Sequence, residues 1–133
     1  MSSTGGPMSE RTRLALTPSA ETGSHARRAL RQLLDSARVD RDTTDTAVLL
    51  ATELVTNAVE HGRGSAYLDA AVQDRAIRLE VSDSSTVVPQ PNTAVSELDE
   101  RGRGLLLIEA LASRWGVLPR SDGKTVWCEL DIA

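Results

Sequence analysis

The sequence predicts an α+β domain, a two-layer sandwich in which helices cover one face of a mostly antiparallel, mixed sheet. Strand-like runs outnumber helical runs, and short turns join several of them. The order of elements is strand, helix, helix, strand, strand, loop, helix, strand, strand. This order differs from the regular strand–helix alternation that is typical of doubly wound nucleotide-binding folds. The strand-like runs lie at 13–17, 66–72, 76–83, 115–119 and 125–132.

Length and composition limit the protein classes that remain possible. The 133 residues are enough for one domain with its own core, which we place at 12–133 after a disordered tail at 1–11. A net charge of −4 argues against direct binding to nucleic acid. The sequence has no apolar run long enough to span a membrane, and its single cysteine excludes a disulfide scaffold. With no export signal at the N-terminus, we expect a cytoplasmic protein.

The first two helices follow from apolar residues at helical spacing. The first starts at Ser24, a plausible N-cap, and its other face carries four arginines that indicate either a solvated surface or a partner-binding patch. The second starts near Asp42 or Thr43 and is apolar over much of its circumference, which predicts a central position in the domain. Gly62 and Gly64 should end it.

The second half of the chain reads as two hairpins separated by a loop and a helix. Residues 73–75 should turn between the strands at 66–72 and 76–83, and residues 121–124 should turn between the last two strands. Between the hairpins, residues 84–101 show no sustained periodicity, and a loop of that length is usually functional or disordered. A third helix should follow Gly104 and end near Arg114.

Glu53, Asn57 and His61 interrupt the second helix with polar side chains four residues apart, and therefore share one face. Burying such groups without partners is costly, so either this face is exposed or a polar ligand meets it. A carboxylate and an amide oxygen suit a hard cation such as magnesium. On spacing alone, an ordinary solvated stripe explains the pattern as well.

Two further candidates lie downstream. The run Arg101-Gly102-Arg103-Gly104 precedes a helix, where glycines and free N–H groups can approach a phosphate; an ordinary loop-to-helix turn is the alternative. Asp83 ends a strand, where it could accept a hydrogen bond from an exocyclic amine or simply form a turn.

The order of these motifs resembles the GHKL ATP-binding superfamily, which has the Bergerat fold and includes gyrase, Hsp90 chaperones, histidine kinases and MutL. The resemblance rests on the helix motif that contains Glu53 and ends in His61-Gly62, followed by Asp83, a long loop, Gly102-Arg103-Gly104 and Gly123-Lys124-Thr125. A small chain with nothing attached is most similar to the bacterial anti-sigma factors, the serine-protein kinases of partner-switching systems.

The resemblance implies a role for each motif. Glu53 would be the catalytic acidic residue and Asn57 would hold Mg²⁺. Asp83 would accept a hydrogen bond from the adenine amine of ATP, with Thr125 nearby holding a water. Residues 84–101 would be a lid, and the nucleotide-binding set would include four residues at and just after its end. These are Arg101, Gly102, Arg103 and Gly104, whose backbone amides and guanidinium groups would reach the phosphates.

The resemblance also implies partners and an activity. The expected function is that of an anti-sigma factor with serine/threonine-protein kinase activity, which binds a sigma factor, phosphorylates an anti-anti-sigma antagonist and forms a homodimer. One departure favours an alternative, because the family pattern of Asp, any residue, Gly reads Asp83-Ser84-Ser85 here. The alternative is a non-catalytic protein-binding module of the same fold. A histidine kinase catalytic domain is a third hypothesis, which the lack of room for a phosphoacceptor helix pair disfavours.

Overall fold

The computed structural model describes residues 10–17, 19, 21–61, 66–84 and 100–132, and for 60–61 and 100–105 it describes the backbone alone. Five strands and three helices occupy these residues. In chain order they are β1 (Glu10–Leu16), α1 (Thr22–Ser36), α2 (Arg41–His61), β2 (Ala66–Gln73), β3 (Ala76–Asp83), α3 (Glu100–Leu111), β4 (Arg114–Arg120) and β5 (Gly123–Asp131).

The five strands form one open sheet in the order β1-β2-β3-β5-β4. Every pairing in this sheet is antiparallel. The predicted α+β class is therefore confirmed, and the described sheet is antiparallel throughout. The two hairpins, β2–β3 and β4–β5, lie side by side because β5 pairs with β3.

One face of the sheet carries the core. Along β3 the buried residues alternate with half-buried ones, as expected for a strand with one covered face. Helix α2 packs against α1, α3, β2 and β3, so it lies in the middle of the helical layer as the sequence predicts. The largest fully buried side chains include residues from both layers: Leu30, Leu34, Leu50, Leu68, Ile77, Leu79, Ile108 and Val81.

A side-chain cap precedes α2 but not α1. Helix α1 begins at Thr22, two residues before the predicted start, and its N-cap Glu21 makes no side-chain cap hydrogen bond. Ser24 is therefore not the N-cap. Before α2, the Asp40 carboxylate accepts a hydrogen bond from the Thr43 amide at 3.0 Å. Hydrogen bonds from Thr43 hold the pKa of Asp40 below its usual range, as expected for a carboxylate that caps a helix.

Other boundaries also differ from the sequence predictions. Gly123 and Lys124 belong to β5 and not to the predicted turn at 121–124. Glu10 already belongs to β1, inside the predicted tail, because its partner Val72 extends the ladder that far. Helix α3 begins at Glu100, so residues 100–104 are helical rather than part of the loop. Arg114 lies in β4 opposite Glu129 and not at the end of α3. For Glu10 and Arg114, pairing with a distant segment decides the boundary.

The arginine-rich face of α1 is exposed. Arg27, Arg28 and Arg31 are all open to solvent, and the Arg31 guanidinium contacts Asp45 at 3.1 Å with both side chains about half exposed. Exposed pairs of this kind contribute little to stability. The solvated surface remains the simpler interpretation of these arginines.

The other face of the sheet carries a network of ion pairs. Glu129 accepts hydrogen bonds from Arg78 and Arg114, each at 2.8 Å, and Arg114 also reaches Asp131. The Arg78 guanidinium lies 4.4 Å from the ring centroid of Trp127, where it makes a cation–π contact. This face of the sheet therefore carries paired charges where the other face carries the apolar core. No helix of the described residues is long and apolar enough to cross a membrane.

We expect Leu79→Ala to lower the free energy of unfolding by about 2–5 kcal/mol, because Leu79 is 1% exposed and its truncation leaves a cavity. Urea denaturation measures the change. Leu118→Ala is the matched control, since Leu118 is 50% exposed and should cost far less. Equal losses in the two variants would contradict this assignment of the core.

Glu129 should make stability depend on acid pH. Hydrogen bonds from Arg114, and to a smaller extent from Arg78, lower the pKa of Glu129 in the folded protein. The stability that Glu129 contributes is therefore complete above the pKa of glutamate in the unfolded chain, and it is lost as the pH falls through the lower pKa of the folded state. Glu129→Gln should therefore reduce the urea midpoint more at pH 7 than at pH 3. The exposed Glu109→Gln on α3 should reduce it little at either pH, and an equal effect of Glu129→Gln at both would contradict the prediction.

Candidate functional site

The elements that carry the predicted site residues are neighbours in the fold. Helix α2 packs against both β3 and α3, and β5 pairs with β3 along its whole length. The α2 motif, the end of β3, the start of β5 and the start of α3 are thus contributed by elements in direct contact. Which side chains meet depends on the face that each residue occupies.

Glu53 and Asn57 lie one helical turn apart on α2, at the border of its buried face. Both are half-buried, whereas Leu54 and Ala58, one position further along, are 2% and 4% exposed. A half-buried carboxylate and amide, unlike a fully solvated stripe, can present oxygen atoms to a ligand and keep access to water. The side chain of His61 lies outside the described residues.

These two residues suit magnesium better than a metal that needs a full protein cage. Within the described part of the chain, no group of three or more His, Cys, Asp or Glu side chains gathers to hold a metal ion. Magnesium is commonly held by one or two protein oxygens, with water and phosphate completing its octahedron. The donor set of Glu53 and Asn57 therefore fits Mg²⁺ that arrives with a nucleotide.

The predicted phosphate-binding run opens α3. Arg101, Gly102, Arg103 and Gly104 lie in the first two turns of this 12-residue helix. The first turn of a helix has backbone N–H groups without intrahelical partners, and its dipole favours an anion. The side chains of Arg101 and Arg103 are outside the described residues, so their predicted contact with phosphate stays a prediction.

Asp83 ends β3 in a buried ion pair with Lys124. The Lys124 ammonium nitrogen lies 3.0 and 3.1 Å from the two carboxylate oxygens. The two side chains are only 8% and 4% exposed, for Lys124 and Asp83 respectively. A buried carboxylate must be paired, and here the single lysine of the sequence provides the partner.

Gly123 lets the two strands meet at this point. A Cβ atom at Gly123 would lie 2.0 Å from the Asp83 carbonyl oxygen, far inside van der Waals contact. The start of β5 can therefore approach the end of β3 only with glycine at this position. The approach sets Lys124 directly opposite Asp83 in the strand register.

Thr125 follows Lys124 on β5, and its predicted role of holding a water near Asp83 stays a prediction. It lies opposite Ser82, and their hydroxyl oxygens are 2.9 Å apart. Because side chains alternate along a strand, Ser82 and Thr125 point to the sheet face opposite the one that Asp83 and Lys124 occupy. Lys124 does contact the Asp83 carboxylate, and the sequence analysis quoted it in a motif but did not name it as a site residue.

A sequence signal for Lys124 exists in the alternation of β5. Lys124, Val126 and Cys128 are two residues apart, and the latter two are core residues. A lysine in phase with core residues predicts a buried cation with a carboxylate partner.

The predicted lid was 84–101. Of these residues, Ser84 is exposed after β3, 100–101 belong to α3, and 85–99 lie outside the described residues.

A shallow concavity of about 480 Å³ lies on the helix-free face of the sheet, around the ion pairs of Arg78, Glu129 and Arg114. Its charged groups are largely paired with one another, as described above. It lies near the start of β3 and the end of β5, so it is separate from the Asp83–Lys124 pair at their opposite ends.

Comparison with known proteins places this geometry in a family. The sequence profile of the histidine kinase-like ATPase domain matches residues 16–129. An uncharacterized protein of Streptomyces coelicolor is 36% identical over 83 residues, which cover 59% of this chain and 78% of that protein.

Two solved structures share the fold. The RsbU and RsbW domains of Rv1364c from Mycobacterium tuberculosis match 92% of this chain with a TM-score of 0.71 and 23% identity. A blue-light activated histidine kinase of Erythrobacter litoralis matches 71% of it with a TM-score of 0.56 and 24% identity. In each case the match spans 32% of the solved chain. The profile match covers most of the chain, and the chain belongs to the histidine kinase-like ATPase domain family.

Proposed function

We propose that this chain is an ATP-binding regulatory protein, an anti-sigma factor that phosphorylates a serine or threonine of an anti-anti-sigma antagonist. The observation that carries the proposal is the pair of half-buried side chains with oxygen atoms, Glu53 and Asn57, on the central helix of a histidine kinase-like ATPase domain. The pair lies on a helix that contacts both β3 and α3, so one nucleotide can meet all three elements.

Each segment has a distinct task in this function. Asn57 holds Mg²⁺, which supplies charge neutralisation for the phosphates when it is bound with ATP. The first-turn amides of α3 donate hydrogen bonds to phosphate oxygens, and Gly102 leaves room for close approach. Glu53, one helical turn from Asn57, orients the attacking hydroxyl of the substrate protein and accepts its proton.

The partners follow from the branch of the family that the sequence resembles. The structure with a TM-score of 0.71 contains an RsbW domain, which supports a partner-switching role for this chain. We propose a sigma factor and its antagonist as protein partners, a homodimer as the assembly and the cytoplasm as the location.

A second candidate is a protein-binding module that uses nucleotide weakly or not at all. Two observations favour it. The Asp83 carboxylate is already paired with Lys124, and Ser85 stands where the family pattern has glycine. Nucleotide-binding measurements separate the two candidates, because the first requires Mg²⁺-dependent binding of ATP.

We expect the wild-type protein to bind ATP more tightly with Mg²⁺ than without it, measured by titration calorimetry. Asn57→Ala should remove most of this difference, because it deletes the amide oxygen that holds the metal. Gln32→Ala, an exposed amide on α1, is the control and should retain the difference. An equal loss of ATP affinity with and without Mg²⁺ in Asn57→Ala would contradict metal binding by Asn57.

Glu53→Ala should keep ATP binding but lower phosphotransfer by about 10²–10⁴-fold, the usual contribution of general-base assistance. The assay combines radiolabelled ATP, Mg²⁺ and candidate antagonists encoded by neighbouring genes. Asp35→Ala on the exposed face of α1 controls for removal of a carboxylate. Retention of most phosphotransfer in Glu53→Ala would show that another group accepts the proton.

A further inference from the structure

We propose that Lys124 is a specificity-determining residue that competes with the exocyclic amine of adenine for the Asp83 carboxylate. The inference rests on the proposed ATP site and adds to it a residue that controls recognition of the base. Its consequence is that the native protein should distinguish adenine from a keto purine only weakly, until Lys124 is removed.

The strand register holds Lys124 in place. Asp83 and Lys124 are direct partners in the β3–β5 ladder, one step beyond Ser82–Thr125 and two beyond Val81–Val126. Val81 and Val126 are buried on the helical face of the sheet, and alternation directs Asp83 and Lys124 to that same face. The ion pair therefore forms the end of the buried layer that β3 shares with the helices.

The geometry shows that Lys124 engages both oxygens of the carboxylate. Its ammonium nitrogen lies within hydrogen-bond distance of each, at 3.0 and 3.1 Å, with both side chains removed from water. A hydrogen bond between two charged groups is stronger than one from a neutral amine. An adenine amine must therefore displace a stronger donor to reach Asp83.

The two possible base edges differ in how they meet an ammonium group. The 6-position of adenine carries an amine, which donates hydrogen bonds, whereas inosine carries a keto oxygen, which accepts them. Lys124 has donors and no acceptor, so it opposes adenine and tolerates inosine at this position. The flexible four-carbon stem of lysine would let the ammonium move aside, but only by leaving a buried carboxylate for the base to satisfy.

The test compares binding of ATP and inosine triphosphate by calorimetry in Mg²⁺ for four proteins. These are wild type, Lys124→Met, Lys124→Gln and Arg11→Met. Arg11→Met removes one exposed cation from the edge strand β1 and controls for net charge. The change in the ratio of the two affinities between proteins is the readout, because both triphosphates carry the same charge and differ only at the 6-position of the base and in the proton on the adjacent N1.

We expect wild type and Arg11→Met to bind the two nucleotides within about threefold of each other. Lys124→Met should prefer ATP by about tenfold or more, since a hydrogen bond from the amine to a charged carboxylate becomes available. Lys124→Gln, whose amide still donates to Asp83, should give an intermediate preference. It also decides the outcome if the loss of the buried Lys124 charge prevents Lys124→Met from folding, which circular dichroism detects.

The possible results separate this inference from the proposed function. An ATP preference that is the same in wild type and the Lys124 variants would overturn the role of Lys124 and leave ATP binding intact. A preference that appears only in the variants, with no measurable binding by wild type, would support the role of Lys124 and overturn native ATP binding. No binding of either nucleotide by any of the proteins would overturn both.

Discussion

The burial of helix α2 is the constraint on which the rest of the structure depends. Its residues Ala47, Leu50, Ala51 and Leu54 are each at most 2% exposed, because the helix packs against two other helices and two strands. A helix enclosed in this way has little room for polar groups. Glu53 and Asn57 stand at the border of its buried face, where a polar ligand can reach them.

The two faces of the sheet handle charge differently. On the open face, Arg78, Arg114 and Glu129 form ion pairs that water can still reach, and such pairs contribute modestly to stability. On the helical face, Asp83 and Lys124 are nearly inaccessible, and their pairing offsets part of the cost of burying each charge. A ligand that binds the Asp83 carboxylate at the end of β3 must therefore displace the Lys124 ammonium group from it. This exchange links the electrostatics of the fold to the proposed recognition of the base.

Much of the fold could be predicted from local patterns. The alternation at 76–83 predicted the bounds of β3, and the apolar spacing of the second helix predicted α2 at the centre of the helical layer. The start of α1 was placed two residues late, because Ser24 has the chemistry of an N-cap but lies inside the helix. Helix α3 was started at its glycines, although the observed helix begins at Glu100. Local propensity predicts that a helix starts near a serine or glycine of this kind, but it does not predict whether the helix starts before or after that residue.

The sequence by itself determined the α+β class, the polar pair Glu53 and Asn57 on one helical face, and the family resemblance, because these depend on periodicity and spacing along the chain. Only the tertiary structure decided that Lys124 meets the Asp83 carboxylate. That contact depends on the register between β3 and β5, whose residues are about forty positions apart. A shift of one residue would exchange the faces of Lys124 and Thr125. The close approach at Gly123 helps to fix this register, and it becomes visible only when the two strands are seen together.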